Sequence, residues 1–223
     1  LQAGYRAFTG GKFQEALDVL RSILHMLPLI AVATPAEANE AKELITIVVD
    51  YILGLQVELK RKEIAASDPT QLARIAELGA YFTHCNLQPA HLLLTLRSAM
   101  NAAVKMRNFA SAYNFGRRLL DLAPKPEIAT TAQRVLQLCE QNGLKDEIQI
   151  DYDERNPFVI CAASMVPIYR GTPSTSCPYC GSHYQQEHNG IVCVICQLAK
   201  VGAPATGLNI QRAASAPKRP QKR

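Results

Sequence analysis

A mainly α-helical fold ending in a small β-rich region is what this sequence predicts, and three observations carry the expectation. Apolar residues recur at spacings of three and four over much of 1–145. A helix–turn–helix pattern stands at the start and returns 96 residues later. At Asp146 the apolar period shortens to two, and four cysteines follow in two close pairs. With 48% hydrophobic and 19% charged residues over 223 positions, the chain has the composition of a folded protein of one or two domains.

The first pattern runs Gly4, Tyr5, Ala7 and Phe8, a Gly10-Gly11 break, then Phe13, Ala16, Leu17, Leu20 and Leu24, with Pro28 as the stop. Small residues at Gly4, Ala7 and Ala16 let two helices approach closely, while Phe8 and Phe13 fill the wedge between them. This is similar to the tetratricopeptide helix–turn–helix unit. In the second copy Ala103, Phe109, Ala112, Leu120 and Pro124 stand opposite Ala7, Phe13, Ala16, Leu24 and Pro28. Arg107 replaces Gly11 and Met100 replaces Gly4, so that copy reads as degenerate. A contiguous array would repeat about every 34 residues. Two hairpins that solved one packing problem alike is the competing reading.

Between the copies, Ala36 to Ile64 reads as one amphipathic helix, with Leu44, Val48, Ile52, Leu55 and Leu59 on a face. At 1.5 Å per residue it would reach about 43 Å. Lys60-Arg61-Lys62 reads as its solvated end, near the negative pole of the helix dipole. Asp68-Pro69 reads as the start of the next helix, an acid cap followed by proline at the first position. Pro89 opens another, and the last runs from Pro126 to Gln141 with Asn142-Gly143 as its cap. Six helices with short connections make a solenoid-like domain over 1–145.

Beyond it, Ile148, Ile150 and Tyr152 alternate with Gln149 and Asp151, as in a strand. Asp153 to Pro157 is a polar turn, and Phe158 to Tyr169 is rich in strand formers. A β-rich domain over 146–203 is therefore expected, followed by a basic disordered tail at 204–223.

The chemistry-bearing motif is Cys177-Pro178-Tyr179-Cys180 and, twelve residues on, Cys193-Val194-Ile195-Cys196. Two such knuckles suit four thiolates arranged tetrahedrally around Zn²⁺, in a zinc-ribbon-like hairpin. Gly181 relaxes the backbone after the first knuckle; Gln197 follows the second, whose turn is expected to be less regular. Asn189-Gly190 is a hairpin turn signal ahead of the second knuckle. A site closed by Cys177, Cys180, Cys193 and Cys196 is structural, since no position is left for substrate or activated water. A β-region this poor in apolar residues gains from a metal staple. The alternative is a reduced, metal-free hairpin with buried cysteines. His183 and His188 are read as surface residues, and Cys85, Cys139 and Cys161 as packing residues.

Charge argues against a phosphate-binding body. The net charge is +5, but Arg212, Lys218, Arg219, Lys222 and Arg223 sit in an acid-free end, leaving 19 basic and 19 acidic residues in 1–210. Between 171 and 199 Glu187 is the lone Asp, Glu, Lys or Arg. A zinc-ribbon nucleic-acid-binding module using the basic tail is thus the alternative, not the favoured, reading. Gly10-Gly11-Lys12 lacks the other residues of a phosphate loop, and no hydrolase, zincin or dinucleotide motif is present, so no catalytic residue is assigned. No secretory signal or membrane span is visible. Seven cysteines, four at metal spacing, fit a reducing compartment. The chain opens at Leu1 inside an apparent helix, as a piece of something longer would.

The opening Leu1 to Phe13, the segment Asn156 to Tyr169 and the double knuckle at 177–196 occur together in one order. In this combination the chain closely resembles the C-terminal region of the alpha subunit of coatomer, the COPI vesicle coat, over essentially all 223 residues. The resemblance implies a non-catalytic scaffold that binds the tetratricopeptide-like epsilon subunit and supports coat assembly with the other coatomer subunits. It implies roles in Golgi-to-ER and intra-Golgi transport, and a cytoplasmic protein peripheral on Golgi membranes and COPI-coated vesicles. It further implies that the partner closes around a projecting β-hairpin. The favoured hairpin is Glu147 to Pro167, turning at Asp153 to Pro157 and presenting Ile148, Ile150, Tyr152, Asp153, Glu154, Arg155 and Phe158. The second choice turns near Asn189-Gly190.

Overall fold

A computed structural model describes residues 1–205. Seven α-helices occur among them: α1 (Gln2–Thr9), α2 (Phe13–Met26), α3 (Pro35–Ser67), α4 (Leu72–Phe82), α5 (Pro89–Lys105), α6 (Phe109–Asp121) and α7 (Pro126–Gln141). Two antiparallel two-stranded sheets follow: β1 (Phe158–Ile160) with β2 (Pro167–Tyr169), and β3 (Ser174–Ser176) with β4 (His183–Gln185). The expected class, mainly helical and then a small β-rich region around a cysteine cluster, is what the molecule has. Its helices number seven, not six. The basic tail lies, from 206 onward, outside the described residues.

The two helical hairpins are α1–α2 and α5–α6, and their degeneracy is only apparent. Gly11 takes φ +71° and Arg107 φ +58°, the same left-handed backbone. Lys12 and Asn108, one residue on, donate their N–H to Ala7 and Ala103 at 2.9 Å in both copies. The close approach is kept by exchange. A β-carbon on Gly4 would fall 3.0 Å from Leu20; one on Gly116 would fall 3.3 Å from the Met100 sulfur. Small faces large in each copy, on opposite helices. Gly116 also admits Leu136 of α7, 3.0 Å from the same point.

Helix α3 is 33 residues long, and Thr34 caps it by accepting from the Glu37 N–H at 3.2 Å. A β-carbon at Gly54 would meet the Phe82 ring at 2.7 Å, so this glycine sets how closely α4 crosses α3. The basic run near its end is not simply solvated. Arg61 makes two hydrogen bonds to Glu58 at 2.6 and 2.7 Å, and Lys62 sits 4.1 Å over the Phe13 ring. Asp68-Pro69 does not start α4. Asp68 ends α3, and its carboxylate accepts from the Thr70 N–H, the Thr70 hydroxyl and the Gln71 amide, a local turn that competes with helix. Helix α4 begins at Leu72.

Burial forms two apolar cores. One gathers Leu20, Ile52, Leu55 and Leu78 from α2–α4 together with Ile160, Tyr184 and Ile195 of the β-rich half. The other lies among α5–α7, around Leu96, Met100, Phe115 and Leu119. His91 ties α1, α3 and α5 together: its ring nitrogens bond the Tyr51 hydroxyl at 2.7 Å and the Thr9 hydroxyl at 2.9 Å.

The strand expected at Ile148 to Tyr152 is absent, and with it the hairpin from Glu147 to Pro167. The backbone there finds side-chain partners on the helices instead. Asn108 acts as a substitute strand, accepting from the Ile148 N–H and donating to the Ile148 carbonyl, each at 2.8 Å. Asp146 accepts from the Ser111 N–H and hydroxyl, Glu77 accepts from the Asp151 N–H at 3.0 Å, and Tyr81 donates to the Asp151 carbonyl. The actual hairpin pairs Phe158 with Tyr169 and Ile160 with Pro167. It does not project: Arg74 of α4 donates to the Ser164 and Met165 carbonyls at its tip at 3.0 and 3.1 Å.

Candidate metal centre

Each Cys-x-x-Cys pair sits where the chain reverses. The first lies at the tip of β3–β4, whose register pairs Ser176 with His183. The second is closed by the bridge between Val192 and Lys200. Asn189-Gly190, with Gly190 at φ +86°, leads into this second loop and is not the turn of a hairpin spanning both knuckles. The Gly181 N–H donates to the Cys177 carbonyl and the Gln197 N–H to the Cys193 carbonyl, both at 2.9 Å. Gly181 has φ +76° and Gln197 φ +59°. The second knuckle is therefore as regular as the first, with glutamine held in the left-handed region that glycine would enter freely.

This folding brings the four sulfurs of Cys177, Cys180, Cys193 and Cys196 within 4.8 Å of one another, all four residues buried. Cys177 and Cys196 are 3.7 Å apart at sulfur, Cys180 and Cys193 3.6 Å. A tetrahedral ion at a Zn–S distance of about 2.3 Å has sulfur–sulfur edges of about 3.8 Å. The donor set fits such an ion, and the four residues can hold a metal. Ordinary disulfides would need sulfurs about 2.0 Å apart.

Two hydroxyls approach the sulfur cluster. The Ser182 hydroxyl lies 2.9 Å from the Cys180 sulfur. Tyr184, fully buried, donates its hydroxyl to the Cys193 sulfur at 3.0 Å and accepts from the Val194 N–H at 3.0 Å. Hydrogen bonding from Cys177, then from Cys180 and Cys196, pulls the Cys193 thiol well below its ordinary value. Cys177 is lowered to about 7, with the Cys180 hydrogen bond the largest cause, while hydrogen bonds within the same cluster, that to Cys177 foremost, raise Cys180 and Cys196.

The second knuckle is also fastened to the helices. Arg21 of α2 donates to the Ile195 carbonyl at 3.3 Å, His25 donates to the Cys196 carbonyl at 2.8 Å, and Gln56 of α3 donates to the Val194 carbonyl at 3.2 Å. From the first knuckle, Tyr179 donates to the Leu24 carbonyl at 2.7 Å. Arg21, His25, Gln56, Tyr179 and Tyr184 were not expected from sequence. Their role depends on which carbonyls turn outward from a knuckle, and nothing in the local pattern marks that.

The remaining expected residues separate into two groups. Ile148 and Ile150 are half-buried against the helices. Tyr152 joins Tyr81, Phe115 and Phe158 in an aromatic cluster, its hydroxyl 2.6 Å from His84. Asp153 and Arg155 are exposed and Glu154 half-buried, in a turn where the Arg155 N–H donates to the Asp153 carboxylate at 3.0 Å. His183 is exposed and His188 pairs at 3.6 Å with Glu187, so neither joins the sulfur cluster. Cys85, Cys139 and Cys161 are buried free thiols, and burial raises the first two. No helix among the described residues is long and apolar enough to cross a membrane.

Comparison with known proteins matches the same span. A family model described as the C-terminus of the coatomer (COPI) alpha subunit matches residues 1–215. The chain is 49% identical to coatomer subunit alpha of Dictyostelium discoideum over 209 residues, 92% of this chain. It is 51% identical to coatomer subunit alpha-1 of Arabidopsis thaliana and 32% identical to coatomer subunit alpha of Saccharomyces cerevisiae, over 93% and 95% of this chain. It spans 17% of the length of each of these relatives. With helices, paired knuckles and family match running over one stretch, the chain belongs to the family of C-terminal regions of the coatomer (COPI) alpha subunit.

Proposed function

We propose that this chain is a non-catalytic scaffold and interaction region of a COPI coat subunit, which holds the coatomer epsilon subunit and supports coat assembly with other coatomer subunits. On this reading it works in Golgi-to-ER and intra-Golgi transport, cytoplasmic and reaching Golgi membranes only through the assembled coat. The observation that carries it is the fastening of the β-rich half to the helices by Arg21, His25, Gln56 and Tyr179, which makes one rigid platform. A scaffold needs that rigidity, because a pre-organised surface loses little entropy on binding.

The metal is zinc, held by Cys177, Cys180, Cys193 and Cys196, and it supplies a structural cross-link. Metal analysis of the purified chain should return one zinc per molecule; a folded β-rich half without zinc would refute this. The epsilon subunit is proposed to engage the turn at Asp153, Glu154 and Arg155. Ile148, Ile150, Tyr152 and Phe158, which flank that turn in the chain, are half-buried. The stretch 146–210 holds six acidic and three basic residues, which favours a basic lining in the partner. Co-expression with the epsilon subunit followed by gel filtration should give one co-eluting complex, lost on deletion of Asp153 to Pro157. Undiminished co-elution after that deletion would move the interface elsewhere.

A further inference from the structure

A cleft of about 350 Å³ opens between α3, β1 and the first knuckle. Val49, Leu53, Phe158 and Ile160 give it apolar walls, and Gly181 and Ser182 form its knuckle side. Asp50 faces into it. The Asn86 side chain beside the carboxylate is neutral, and no ion pair involves the carboxylate among the described residues. Arg118 comes near only by way of His84, with its guanidinium already engaged by the Thr83 carbonyl and hydroxyl at 2.7 and 3.0 Å.

A second negative source borders the same space. Cys180 lines the cleft, and four thiolates around one Zn²⁺ leave a net charge of about −2 on the centre. Both negative groups border a partly dry space, where charge interactions are stronger than in water. Burial has already pushed the Asp50 carboxyl up to about 6, the neighbouring Asn86 side chain offsetting only part of that cost.

We propose that this cleft is the docking slot for one lysine or arginine side chain of a protein partner, flanked by apolar residues, with Asp50 as its acceptor. Charge complementarity selects that occupant. An apolar side chain would desolvate the carboxylate further without compensating it. A bare metal ion lacks a gathered set of ligands: Asp50, His84 and His183 line the cleft, but the four cysteines are the one group of three or more metal-binding donors brought together among the described residues. The stem of lysine or arginine packs on apolar walls while its head meets an acid. The slot rests on the zinc assignment only for its second negative source.

The test is a nuclear magnetic resonance titration of the isotope-labelled chain, with zinc measured in the same sample. The probes are acetyl-Leu-Arg-Leu-amide and its citrulline analogue, which keeps the shape of arginine and removes its charge. The arginine peptide should give saturable shifts at the amides of Asp50, Phe158 and Ser182. The citrulline peptide, and the arginine peptide on Asp50→Asn, should each bind about tenfold more weakly. Equal affinity for both peptides, unchanged affinity on Asp50→Asn, or no saturable shift in a zinc-loaded sample would overturn the slot. Arginine-dependent binding in a folded sample that contains no zinc would support the slot and refute the zinc assignment.

Discussion

The helical half and the knuckle half of this molecule are each built from two copies of one device, and each changes the same kind of residue between its copies. In the helical hairpins the left-handed position is Gly11 and then Arg107; in the knuckles it is Gly181 and then Gln197. Each second copy places a long side chain where glycine would be unstrained, and the backbone is nevertheless reproduced to within about 20° in φ. The halves differ in what enforces this. Arg107 is held between two helices packed on an apolar core, whereas Gln197 follows directly on a cluster of four sulfurs. A strained backbone persists when its surroundings over-determine it, and helix packing and, on the zinc proposal, metal ligation are two independent ways to do so.

Removing the proposed zinc should separate them most sharply. Cys193→Ser, or a strong chelator, is expected to destabilise the knuckle half by more than about 4 kcal/mol. Hydrogen exchange should then show amides of 174–201 losing protection while those of α5–α7, which have their own core, keep theirs. Equal loss in α5–α7 would mean that the halves are one cooperative unit. Within the helical half, Gly116→Leu drives a side chain into Met100 and Leu136 and should cost about 2 to 3 kcal/mol in chemical denaturation. Adding Met100→Gly recreates the arrangement of Gly4 and Leu20 and should recover only part of that loss, because Leu136 stays in place.

Relief of backbone strain is a smaller effect. Gln197→Gly should raise stability by about 0.5 to 1 kcal/mol. Arg107→Gly should gain less, since it gives up the 2.9 Å pair with Glu147. Thermal midpoints of the two variants check this order. The smallest signal is pH-dependent and comes from groups with opposite signs. Burial raises Asp50 from 3.8 to about 6, so the folded state holds more protons than the unfolded one in that window, and this group destabilises the fold as pH rises through it. Burial, and secondarily Arg118, lowers His84 from 6.5 to about 4 even though part of its ring reaches solvent. That group costs stability as pH falls below 6.5. Asp50→Asn should therefore raise the urea midpoint at pH 7.5 and raise it less at pH 5.5. An equal gain at both would show that Asp50 keeps its ordinary acidity.

Periodicity and punctuation, both local, made much of this molecule legible. Glycine breaks, prolines at helix starts and 3–4 spacing located the helices, and cysteine spacing alone located the sulfur cluster, because a knuckle is a turn of fixed size. Local grammar failed where the partner is distant. Ile148, Ile150 and Tyr152 alternate as a strand does, but their backbone groups are matched by Asn108, Glu77 and Tyr81 rather than by a neighbouring strand. It failed also where two local readings compete: Asp68 looks like a helix cap but closes a turn with its neighbours Thr70 and Gln71.

By itself, then, the sequence determined the mainly helical class, the β-rich ending and the four clustered sulfurs, since each depends largely on residues a few positions apart. Tertiary structure decided that Arg21 and His25 receive the second knuckle, that Gly116 answers Met100 as Gly4 answers Leu20, and that Asp50 faces an apolar cleft. The physical reason is the same in all three cases. Hydrogen bonds, close packing and desolvation are set by which surfaces meet, and sequence spacing does not encode which surfaces those are.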